Sequence, residues 1–94
     1  MGLRMDRLNE IIQLLSSCEN VYVVIGRKEK LKVVFINGTL KSFTKNCNGE
    51  IEIFLEGEFK YYIPISKVTD VSQLNQIIVL QSEKADVIFK ILQG

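Results

Sequence analysis

The chain contains no histidine. That absence removes Ser-His-Asp and Cys-His nucleophile systems, histidine general-base catalysis and every zinc site that needs an imidazole ligand. Cysteine is almost as scarce. Cys18 and Cys47 are the only two, too few for a four-thiolate site or a disulfide framework. A bridge between them stays open, with reduced thiols the expectation for an intracellular chain. No apolar run approaches the ~20 residues of a spanning helix. The run Ile11-Ile12-Gln13-Leu14-Leu15, behind Arg4 and Arg7, is too short and too interrupted for a signal peptide. The expectation is a cytoplasmic protein with no membrane partner. Phosphate-cradling glycine loops, dinucleotide fingerprints, repeats and low-complexity tracts are also missing. What remains points away from an enzyme, and no cofactor or metal is expected.

What is present suits one small fold. Ninety-four residues make a single domain over 1–94. An apolar fraction of 47% fills one core and leaves apolar surface for a partner, so self-association is expected. The net charge of +1 names no class of ligand by itself.

Periodicity predicts a helix over 5–17. Met5, Leu8, Ile11, Ile12 and Leu15 recur at helical spacing, and Asp6 falls in the first turn. Val21 to Ile25 is β-branched and aromatic, apolar on both faces, and reads as a central or covered strand. Two hairpins follow from it, over 21–44 and 51–65. In the first, Asn37-Gly38 suits a two-residue type I′ turn. That turn puts Phe35 opposite Leu40 and gathers Leu31, Val33, Phe35 and Leu40 on a core face. The mixed face of Lys32, Val34, Ile36 and Lys41 is either wet or covered by the helix. In the second, a loop at Glu56-Gly57-Glu58 sets Ile53 opposite Tyr61 and Ile51 opposite Ile63. Glu52, Phe54, Lys60 and Tyr62 then face outward. Pro64 needs an edge or a bulge.

Ser66 to Asn75 is polar with scattered Val68, Val71 and Leu74, and has room for a short helical turn. Ile77 to Leu80 predicts a strand over 77–81. For 86–92, the alternation of Val87, Phe89 and Ile91 favours a strand, although a helical turn also fits. The sum is an α+β, mostly β fold: an N-terminal helix packed on a six- to seven-stranded antiparallel meander sheet or small open barrel.

Two charge clusters stand out. Glu50, Glu52, Glu56 and Glu58 could hold a cation or form a carboxylate pair, but lack a calcium-loop pattern, and a solvated face explains them better. Arg27, Lys28, Lys30, Lys32, Lys41 and Lys45 crowd one stretch with Glu29 as their only acid. A meander would set Lys32 and Lys41 on one face of adjacent strands, with Arg27, Lys28 and Lys30 at the rim. Such a stripe holds phosphates, with Phe43 or Tyr62 able to stack a base.

The order helix, bent strands, then Phe59-x-Tyr61-Tyr62-Ile63-Pro64-Ile65-x-x-Val68 resembles the Sm-like RNA-binding barrels over about Val21 to Val71. The resemblance implies a five-stranded barrel and assembly into rings. Phe43 is followed by Thr44-Lys45-Asn46 rather than the family's base-binding loop, so no binding residue carries over. The functional expectation is a small non-enzymatic binding or assembly module, self-associating, with DNA or RNA binding through the basic cluster as the alternative.

Overall fold

One helix and seven strands follow in chain order in the computed structural model, which describes residues 2–48 and 50–92, with side chains from Arg7 onward. They are α1 (Gly2–Ser16), β1 (Val21–Lys28), β2 (Val33–Lys45), β3 (Ile51–Glu56), β4 (Lys60–Ile65), β5 (Val68–Leu74), β6 (Ile77–Ser82) and β7 (Ala85–Ile91). The strands form one antiparallel sheet in the order β4-β3-β2-β1-β7-β6-β5. This is the expected class, a helix on an open antiparallel sheet, and the segment expected over 86–92 is strand from Ala85 to Ile91. It is not a plain meander, because β7 lies beside β1. Nor is it the five-stranded barrel implied by the resemblance to Sm-like proteins.

The sheet is open, with β4 and β5 as its edges. Yet only Ser66 and Lys67 separate them. Three Cα steps of about 3.8 Å hold Ile65 and Val68 within roughly 11 Å. The sheet therefore coils until its two edges meet at that end. Lys67 makes the reversal with φ 55°, a left-handed conformation uncommon for a residue with a Cβ. Coiling also stacks the inner face on itself: the rings of Phe43 on β2 and Phe89 on β7 lie 5.0 Å apart.

The inner face follows the strand period. Val21, Val23 and Ile25, Ile51, Ile53 and Leu55, Ile63 and Ile65, Ile78 and Leu80, and Val87 and Phe89 are all buried. Leu8, Ile11 and Leu15 of α1 close this core. Ile12, expected in the stripe, is only half-buried. The helix starts at Gly2, so Asp6 is outside its first turn; the side chains of Met5 and Asp6 lie outside those described.

The main correction concerns β2. Asn37-Gly38 is no turn. The segment is one strand of 13 residues, in which Asn37 pairs with Val24 and Gly38 with Val23. The reversal between β1 and β2 lies earlier, at Lys30-Leu31, closed by the Glu29 N–H donating to the Lys32 carbonyl at 2.9 Å. The expected core face is consequently the outer one: Leu31 is fully exposed and Phe35 is 72% exposed. Ile36 and Gly38 face inward instead, on the same side as Leu40, which keeps its expected inward face. A bulge at Lys41 then shifts the parity, so that Phe43 points inward opposite Ile53.

Gly38 is there for space, not for a turn. A Cβ on it would stand 2.9 Å from the Glu56 carbonyl oxygen, where β3 ends. β2 pairs with β1 up to Thr39 and with β3 from Thr39 onward. Glycine at this crossing lets the two halves of the sheet close on each other.

The second hairpin keeps its predicted faces with its register moved by two. Ile53 pairs with Ile63, Leu55 with Tyr61, and Ile51 with Ile65. The loop is Gly57-Glu58-Phe59, and Phe59 is exposed. A shift of two preserves the side each residue faces, and burying Ile65 rather than Phe59 decides between the registers. Pro64 sits on an edge strand, as its missing N–H requires. Ser66 to Asn75 holds strand β5 rather than a helical turn. Its ladder to β6 runs from Val68 to Leu74, with a bulge at Thr69 that breaks the alternation.

Gly38→Ala and Gly26→Ala should change stability in opposite directions. At Gly38 the obstacle is backbone, and overpacking costs about 1–3 kcal/mol. At Gly26 the obstacle is the Phe35 ring, 3.3 Å away and free to swing, so alanine gains up to about 1 kcal/mol from its lower chain entropy. Urea melts of the two variants check the sign.

Candidate functional site

The structure splits the six predicted cations. Lys32 and Lys41 are not on adjacent strands. Nine positions of one extended chain, up to ~30 Å, separate them. Lys41 and Lys45 lie toward the far end of β2, where Lys41 meets Glu56 at 3.1 Å. Its ammonium, hydrogen-bonded to Glu56, holds that carboxyl below its ordinary value. Phe43, offered as a base-stacking ring, is buried at 3% exposure.

Arg27, Lys28, Lys30 and Lys32 stay together at the β1–β2 reversal, and other segments join them. The Lys28 N–H donates to the Lys84 carbonyl at 2.8 Å, which brings the Glu83-Lys84 turn alongside. Lys67, from the β4–β5 link, meets Glu83 at 3.6 Å. A cleft of about 280 Å³ opens among them, lined by Arg27, Lys28, Ser66, Ser82 and Lys84 with Ile63, Pro64 and Ile65. Three of these cations are paired: Arg27 with Glu29 at 3.5 Å, Lys28 with Asp86 at 3.7 Å, and Lys67 with Glu83. Lys30, Lys32 and Lys84 are in no ion pair among the described residues. Leu31 stands between the first two, 100% exposed. Lys67 and Lys84 could not be assigned to this group from sequence, because only the fold brings their turns beside Lys28.

A second surface covers the outer side of the central strands. Side chains at even positions of β1 and β7, and at odd positions of β2 as far as Thr39, point outward. Cross-strand rows therefore run Phe35–Gly26–Asp86 and Asn37–Val24–Ile88–Val79. Val33, Phe35, Ile77 and Ile88 are exposed there. A shallow hollow of about 240 Å³ lies between Val24, Gly26, Val33, Phe35 and Ile88, with Lys28 and Asp86 at its edge. The Asp86 Oδ1 atom is buried in that edge without a hydrogen bond, 3.7 Å from the Lys28 ammonium. The sequence carried one sign of this surface: Val21 to Ile25 is apolar on both faces. The second face is bare rather than covered by the helix.

The carboxylate cluster is disassembled. Glu56 goes to Lys41, and Glu58 lies in the β3–β4 loop. Asn46 Nδ2 donates to Glu50 at 3.3 Å and to Glu52 at 3.2 Å. The Tyr62 hydroxyl donates to Glu52 Oε2 at 2.8 Å, and its ring tilts against Phe54 at 4.8 Å. This hydrogen bond, with a carboxylate beside the phenol, raises the Tyr62 pKa. No group of three or more cysteine, aspartate or glutamate side chains suits a metal ion among the described residues. Cys18 is half-buried and Cys47 exposed, both as free thiols. No helix is long and apolar enough to cross a membrane.

Because the neutral phenol is the favoured form in the fold, its contribution to stability is present below the ordinary tyrosine value of about 10 and is lost as pH rises through the raised one. Ultraviolet titration should show one of the three tyrosines ionising last. Glu52→Ala should return it to the group, and a Glu52→Ala titration identical to that of the parent would contradict the pairing.

No family model matches the chain, and neither a curated protein nor a solved structure shows significant similarity to it.

Proposed function

We propose that the chain is a small non-enzymatic assembly module that pairs with a second copy through the outer face of β1, β2, β6 and β7. The observation that carries this reading is the bare row of Val24, Val33, Phe35 and Ile88 on solvent. Four strands spaced about 4.8 Å apart, over some six residues of about 3.4 Å each, present a flat area of roughly 400 Å². Lys28, Asn37, Asp86 and Lys90 interrupt its apolar part, and the whole is half of one side of a standard interface.

Charge selects a copy of the same chain. Asp86, Ile88 and Lys90 alternate outward along β7. A two-fold axis through Ile88 that runs the two β7 strands antiparallel sets Asp86 of each copy against Lys90 of the other. The same operation lays Tyr22 of one copy over the Gly26–Phe35 site of the other. Lys90 is in no ion pair among the described residues, and in the pair it joins Lys28, already 3.7 Å from Asp86, as a second cation beside that carboxylate.

Light scattering across concentrations should give twice 10.8 kDa for the parent chain. Ile88→Asp should give the monomer at unchanged melting temperature, since Ile88 is already 43% exposed. A parent chain that stays monomeric at all concentrations would end this reading.

Nucleic-acid binding through all six cations is the weaker alternative. Its stripe is divided and its ring Phe43 is in the core. The exposed rings of Phe54 and Tyr62 stand among Glu50, Glu52 and Glu56, which repel phosphate.

A further inference from the structure

We propose that the end of the molecule holding the β1–β2 reversal docks on an anionic lipid surface, with Leu31 entering the headgroup layer. This goes beyond self-association and departs from the expectation of no membrane partner; the contact is peripheral, with no spanning segment.

Three observations meet at this end. First, turns distant in sequence converge there and bring Arg27, Lys28, Lys30, Lys32, Lys67 and Lys84 together, joined by the Lys28–Lys84 backbone bond and the Lys67–Glu83 pair. Against these six cations stand the three carboxylates Glu29, Glu83 and Asp86. This end is thus strongly positive on a chain whose net charge is +1. Second, the three carboxylates are taken by Arg27, Lys67 and Lys28, which leaves Lys30, Lys32 and Lys84 in no ion pair among the described residues. Third, the only apolar side chain of the reversal is at its outermost point, flanked by two of those lysines. The Glu29-to-Lys32 backbone bond fixes a tight tip, and Leu31 on it is 100% exposed.

The combination selects a bilayer over other anions. A free phosphate or a nucleic-acid backbone gains from the lysines and nothing from a leucine between them. No aromatic ring is on the tip to stack a base. At a bilayer the two terms add. Lysine and arginine are drawn to anionic headgroups, and their aliphatic stems lie along the interface while the charges reach water and phosphate. The leucine meanwhile leaves water for the acyl boundary. The proposed self-association face adjoins this end and shares Lys28 and Asp86 at its edge, and an antiparallel pair points its two tips to opposite ends. Each tip therefore docks alone.

The test uses the full chain with phosphatidylcholine vesicles, with and without phosphatidylserine, in a cosedimentation titration. Binding is expected only with phosphatidylserine, weakening as salt is raised. Lys30→Glu and Lys32→Glu should each lower affinity by about fivefold or more. Leu31→Ser, which leaves the charge alone, should lower it by about tenfold. All three positions are in an exposed reversal, so the fold survives, and circular dichroism checks this. The chain has no tryptophan, so Leu31→Trp gives a clean reporter: its emission should shift to the blue on phosphatidylserine vesicles alone. Ile88→Asp should bind vesicles as the parent does, which separates this proposal from the self-association reading. The proposal is overturned if phosphatidylserine vesicles do not bind, or if Leu31→Ser binds as well as the parent. Binding of a single-stranded oligonucleotide more tightly than vesicles at equal salt would overturn it too, and would return the basic end to nucleic acid.

Discussion

The fold depends on one close passage, the Glu56 carbonyl crossing Gly38 where a β-carbon would stand at 2.9 Å. β2 is too long to belong to one flat layer. Its first half serves β1 and its second half serves β3, with the change at Thr39. The missing side chain at Gly38 and the extra residue at Lys41 let the strand turn without leaving either ladder. Everything downstream follows from that bend. β3 and β4 swing over the inner face, Phe43 reaches Phe89, and β4 ends where β5 can begin after two residues.

The same bend decides what is left outside. Coiling consumes the inner face of every strand, and the single helix closes that interior rather than covering the outer side. The central strands β1 and β7 are hydrogen-bonded on both flanks but bare on their outer face. Among the described residues, the one helix of 15 residues packs on the inner side, and no other element covers that face. Val24, Val33, Phe35 and Ile88 are the consequence. At the end where the edges meet, the turns are short and rich in lysine, so coiling also concentrates charge. The two candidate surfaces are thus products of one geometric event.

Much of this was legible in the sequence where the period was unambiguous. Ile51, Ile53 and Leu55 alternate with Glu52, Phe54 and Glu56, and Ile63 and Ile65 continue the pattern across the loop, so their side of the sheet was readable even with the register two residues away. Leu8, Ile11 and Leu15 likewise marked the buried stripe of α1. The failure at Asn37-Gly38 has a physical cause. The dipeptide has a strong local preference for a reversal, but local preference does not register a carbonyl that arrives from eighteen positions later. Glycine has two uses, positive φ and absence of bulk, and sequence reports both identically. Read as a turn, that residue sets Leu31, Val33 and Phe35 on a false inner face and Lys41 beside Lys32. Of the basic cluster, Arg27, Lys28, Lys30 and Lys32 therefore stay together near the true reversal, and Lys41 and Lys45 leave. β5 was hidden for a different reason, since an edge strand with a bulge at Thr69 buries too little to show a period.

The central claim, that β2 runs unbroken through Asn37-Gly38, is open to direct measurement by nuclear Overhauser contacts between backbone protons. The account predicts cross-strand contacts joining Val24 to Asn37 and Phe43 to Ile53, and none between Phe35 and Leu40. Contacts from Phe35 to Leu40 across a reversal at Asn37-Gly38 would contradict it.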